Sequence, residues 1–167
     1  PGNGTVRQSF GGAPVFYVQF FEALAKNDQA SAAAYASTSD RAAKLMVERN
    51  VEKNLWGTYH EDIKEKPADY LSAEPMSFTA IYLLRHAKQH PQYMQMARQV
   101  LARMEERLVH TSGHPAAPAP AVSEQAGFEH MMPGHTARYC LALAELSVAT
   151  GDDAVRRRAL SGFNALT

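Results

Sequence analysis

The chain has 167 residues, 46% of them hydrophobic, which is enough apolar material for a folded domain with its own core. Lysine plus arginine equals aspartate plus glutamate at 17 each, so there is no electrostatic basis for binding nucleic acid or an anionic membrane. No apolar run approaches the ~20 residues needed to span a bilayer, so no membrane partner is expected.

The chain opens at Pro1 with neither an initiator methionine nor a signal peptide, the pattern of a processed or trimmed start. Asn3-Gly4-Thr5 fits the three-residue glycosylation sequon, a match that arises often by chance. The first helical hairpin is expected over approximately residues 13–55. Val15 to Leu24 is apolar nearly all round and predicts a helix buried on most sides, although it carries Gln19 and Glu22. Asn27-Asp28 is a natural break. Ser39 is placed to cap a helix running through Ala42, Leu45, Met46 and Leu55. The alanine-rich stretch from Ala30 to Thr38 fits either helix or connection.

A long connection then runs from Trp56 to Ala73, beginning Trp56-Gly57-Thr58-Tyr59-His60-Glu61-Asp62. Flat rings offer stacking surfaces for sugar C–H faces, and carboxylates bind hydroxyls or transfer protons. The competing reading is that Trp56 and Tyr59 anchor the loop while the acids are solvated.

The second hairpin, approximately residues 73–109, has the clearest pattern. Met76, Ala80, Leu83, Leu84 and Ala87 recur at helical spacing, with Ser72 as N-cap and Pro75 in the first turn. Pro91 ends this helix near Gln89 and opens the next. There Ala97, Leu101, Met104 and Leu108 form one stripe opposite Arg98, Arg103, Glu105 and Glu106.

A second long connection, His110 to Gly134, passes through an Ala/Pro stretch and ends in Phe128-Glu129-His130 and His135. Imidazole exchanges protons near neutral pH, and a neighbouring carboxylate can orient it. The competing reading makes His130 a solvated loop residue and His135 a hydrogen-bonder at a helix start. His110 and His114 are four apart, but Thr111 stands where the zinc-protease HExxH pattern needs glutamate; no metal or other cofactor is expected.

The third hairpin is expected over approximately residues 134–167. Tyr139, Ala142, Leu143 and Leu146 form one face, and Val155, Ala159, Leu160, Phe163 and Leu166 its partner. Thr150-Gly151-Asp152 stops one helix and caps the next. Cys140, the single cysteine, lies inside the apolar helix as a buried inert thiol, which leaves no intrachain disulfide. No run of alternating β-branched residues predicts a strand. The short turns recur at roughly sixty-residue intervals, the mark of a helical-hairpin repeat. Alternate connections of stacked hairpins lie at one end, so both long loops should gather there.

These segments resemble the (α/α) toroids of carbohydrate-active enzymes, the six-hairpin glycosidase-like group. The likeness rests on Glu74-Pro75 through Met104 and on Pro133-Gly134-His135 through Leu166 with Thr150-Gly151-Asp152 between the helices. The latter is similar to segments of N-acylglucosamine 2-epimerase-like and β-L-arabinofuranosidase-like proteins. In the epimerase-like proteins a glutamate commonly follows three residues after the Gly-His histidine; Arg138 stands there in this chain. The arabinofuranosidase nucleophile is a cysteine, and Cys140 lies within an apolar helix instead. The resemblance implies an all-α fold in which helical hairpins form an arc of an (α/α)6 toroid, with substrate in the central funnel. This chain supplies about three hairpins and ends at Thr167 within an amphipathic pattern. Missing toroid segments or a second subunit are therefore expected to cover an exposed apolar flank.

The expected function is that of a glycoside hydrolase-like enzyme acting on an oligo- or polysaccharide. A sugar epimerase or lyase and a non-catalytic helical-repeat scaffold for protein are the alternatives. The expected catalytic residues are Asp62, Glu129 and His135. Trp56, Tyr59, His60, Phe128, His130 and Arg138 are the expected substrate-binding residues.

Overall fold

The structure, a computed structural model, describes residues 14–54, 56, 71–112, 118–126 and 128–166. The chain divides into two compact units, Pro1–Tyr70 and Leu71–Thr167.

In the first unit, α1 (Pro14–Asn27) packs on α2 (Ala32–Met46), which runs on into a π-helical turn, Val47–Glu52. The Asp28 carboxylate accepts from the amides of Ala30 and Ser31 at 3.1 and 3.3 Å, and so closes the turn between the helices. Ala30 to Thr38 therefore resolves into turn and then helix, with Ala32 the first helical residue. Val15, Val18, Ala43 and Met46 form the buried seam, and the Ser39 hydroxyl donates to the Val18 carbonyl across it. Ser39 thus lies inside α2 and does not cap it. The expectation that α1 is buried on most sides is corrected. Phe16, Tyr17 and Phe20 are exposed, because α2 covers only one face of α1.

The second unit is built on α3 (Ala73–Arg85), which is buried from Met76 to Leu84 except at Phe78. It packs against α4 (Gln92–Arg107) and α5 (Pro133–Thr150), and α5 packs against α6 (Asp153–Asn164). Leu71, Met76, Leu83, Met104, Leu108, Val122 and Tyr139 are among its fully buried side chains. Ser72 occupies the position before α3, but its hydroxyl makes no cap; its backbone pairs with Gln125 instead. Gly151 ends α5 at φ 72°, a left-handed conformation that glycine adopts at little cost. Asp152 then caps α6, accepting from Ala154 and Val155 amides at 2.8 and 3.2 Å. Asp152→Ala is expected to cost about 1 kcal/mol of unfolding free energy in urea melts, and Asp152→Asn only a few tenths.

The described residues are mostly helical, but the expectation of no sheet is overturned. The connection between α4 and α5 forms an antiparallel sheet ordered β1 (Val109–Ser112), β2 (Ala119–Gln125), β3 (Phe128–Met131). Pro120 is tolerated because β2 pairs with β3 only from Ser123 onward, so at Pro120 one side of the strand needs no amide. Helices α3, α5 and α6 all pack on β2, which explains why it lacks polar–apolar alternation. Gly162 of α6 lets that helix sit directly on Cys140 and Pro120. Among the described residues no helix is long and apolar enough to cross a membrane.

Candidate functional site

The expected residues of the first long connection divide into one that is described and three that are not. Trp56 is 1% exposed and its indole N–H donates to the Asn54 side chain at 2.8 Å. Asn54 has φ 52°, a left-handed conformation that asparagine tolerates, and this turns its amide back toward the indole. These features fit the anchoring role of Trp56. Tyr59, His60 and Asp62 lie outside the described residues, as do the side chains of Phe128 and Glu129. The backbone of Phe128 and Glu129, with His130, forms β3, and His130 is exposed.

His135 and Arg138 sit in the first turns of α5, whose start is fastened to β2. The Met132 amide donates to the Val122 carbonyl at 3.1 Å, and the Thr136 hydroxyl accepts from the Val122 amide at 3.0 Å. These two bonds fix the height and rotation of the helix start, and therefore the direction of His135. Its side chain is almost buried at 9% exposure, and among the described residues Nδ1 has no hydrogen-bond partner.

Arg138 follows one turn later. Its guanidinium lies 3.2 Å from a Glu74 carboxylate oxygen and 5.6 Å from the centre of the Phe78 ring. Gly134 makes room for it, since a Cβ there would stand 3.2 Å from Arg138 Nη1. Both members of the Glu74–Arg138 pair are more than one-third exposed, so the pair contributes little stability and can exchange partners with a ligand. Gln125, at the end of β2, is buried, and its Oε1 has no partner among the described residues.

Burial lowers the His135 pKa from the ordinary histidine value, and it outweighs the other influences. The Glu74 carboxylate pulls it upward, Arg138 pushes it down, and Glu124 raises it slightly. The imidazole is therefore neutral at physiological pH, with carboxylates close enough to stabilise an imidazolium formed during proton transfer. Unfolded histidine takes up a proton near pH 6.5, whereas folded His135 does so only at lower pH. The unfolded state thus holds more protons in that window. His135 stability is fully present above about pH 6.5 and is lost as pH falls through the folded value. Urea melts between about pH 5 and about pH 7.5 should show less acid destabilisation in His135→Gln than in the wild type. Equal losses in both proteins would contradict this.

Sequence reasoning singles out His135 and Arg138 but not Glu74 and Glu124, whose charges act on His135. The available signal was positional: Glu74 opens α3 as His135 opens α5, and adjacent hairpins bring like ends together. Among the described residues no three histidine, cysteine, aspartate or glutamate side chains converge as a metal site. No protein-family profile, curated protein or solved structure matches this chain.

Proposed function

We propose that this chain is a carbohydrate-active enzyme, glycoside hydrolase-like, built as an arc of helical hairpins of the (α/α) toroid type. The single observation that carries the reading is His135: a neutral, nearly buried imidazole whose Nδ1 has no partner among the described residues, influenced by Glu74, Glu124 and Arg138. In this reading one carboxyl group in its acid form protonates the leaving oxygen as the glycosidic C–O bond breaks, water adds to the anomeric carbon, and the imidazole takes the proton that the water gives up. Arg138 exchanges Glu74 for a polar group of the sugar. A neutral imidazole also suits abstraction of a proton beside a carbonyl or carboxylate, so a lyase or epimerase is the second reading.

The test is incubation of the full chain with neutral and uronic-acid oligosaccharides, followed by product analysis. Hydrolysis gives a new reducing end, lyase action gives an alkene, and epimerisation gives an isomer of unchanged mass. Substrates that all remain unchanged, with no saturable binding of any sugar, would sink the enzymatic reading and leave the non-catalytic scaffold.

A further inference from the structure

One concavity of the Leu71–Thr167 unit has no part in the site above. It is a groove of about 190 Å3 between α4, α5 and α6. Leu101, Leu143 and Leu146, all nearly fully buried, form its floor, and Ala102 and Val155 widen it. Its polar lining is Arg98, Glu105 and Arg158. One Glu105 oxygen already accepts from both the Tyr139 hydroxyl and Arg158, each at 2.7 Å. Arg158 also lies 5.9 Å from the centre of the Tyr139 ring, so it is held over the groove. Arg98 has no ion-pair partner among the described residues. Two guanidinium groups against one carboxylate leave the groove with one positive charge in excess.

We propose that this groove binds a small amphipathic carboxylate, with a short acyl chain on the leucine floor and its head on Arg98 and Arg158. An apolar floor with a few polar groups at its rim is the usual make-up of a small-molecule site. Guanidinium is the side chain best matched to a carboxylate, whose two oxygens it can meet together. A volume of about 190 Å3 limits the ligand to a short chain. The inference is independent of the carbohydrate reading, because no residue is shared between the sites.

The experiment is an NMR titration of the labelled full chain at constant ionic strength with hexanoate, hexan-1-ol and hexylammonium. Hexanoate should produce saturable shifts centred on residues 98–105, 143–146 and 155–158. Hexylammonium should produce none there, and hexan-1-ol should bind more weakly than hexanoate. Arg98→Ala changes an exposed side chain and leaves the fold intact; it should weaken hexanoate by about tenfold, the loss of one charge-assisted contact. Absence of saturable hexanoate shifts, shifts centred outside the groove, an equal response to hexylammonium or hexan-1-ol, or undiminished affinity in Arg98→Ala would each overturn the proposal.

Discussion

Gly162→Ala is expected to lower the stability of the protein by about 2 kcal/mol, although alanine is the better helix former. A methyl group on the α6 backbone at this position would stand 2.2 Å from Cys140 Sγ and 2.9 Å from Pro120 Cγ. Neither obstacle is the end of a flexible chain: Cys140 is buried on α5, and Pro120 is a ring within β2. Alanine in a helix interior gains roughly 0.5–1 kcal/mol over glycine, while overpacking a well-filled core costs about 1–3 kcal/mol. The clash should win, with the helix displaced from both β2 and α5. For a unit of this size, about 2 kcal/mol lowers the thermal midpoint by roughly 8–16 °C. Cys140→Ala removes the nearer obstacle and should recover part of the loss in the double variant, since contacting sites do not add. Additive losses would show that α6 does not rest on Cys140. Burial also raises the Cys140 thiol pKa to about 11, so the sulfur should remain unreactive toward alkylating reagents until the protein unfolds.

His135→Gln is expected to lower turnover of the responsive saccharide by about 10²- to 10⁴-fold, the usual contribution of a positioned acid or base. Glutamine preserves hydrogen bonding and approximate size but cannot carry the proton. Stability should fall far less than rate, because the wild-type imidazole gains no bond at Nδ1 from any of the described residues. Arg138→Lys should act mainly on KM, since lysine keeps the charge but loses the two-pronged geometry that meets a planar acceptor. Unchanged turnover in folded His135→Gln would remove the imidazole from the chemistry.

The helices were legible because their signals are local. Pro91, the Thr150-Gly151-Asp152 stop and the stripe from Ala97 to Leu108 all act through backbone geometry or a 3.6-residue period. The sheet was not legible for a physical reason: β2 is covered by three helices and reads Ala-Pro-Ala-Val-Ser-Glu-Gln, without the alternation of a half-exposed strand. Its Ala/Pro start reads instead as part of a long connection. Of the candidate site, His135 stood out as a titratable residue opening a helix. Its neighbours depend on which helix starts share an end, information that resides in packing. Nothing local in the sequence marks Glu74 or Glu124 as those neighbours. Trp56 shows the converse, an aromatic whose type suggested a stacking wall but whose ring is buried beside Asn54.

The central claim is that sugar chemistry occurs where α3, β2 and α5 meet. A saccharide titration followed through the amides of residues 72–78, 124–125 and 135–138 tests it most directly. Saturable shifts concentrated there, accompanied by a change in the His135 ring signals, are the predicted result. A saccharide that binds with its shifts elsewhere, leaving the His135 ring unmoved, would contradict it.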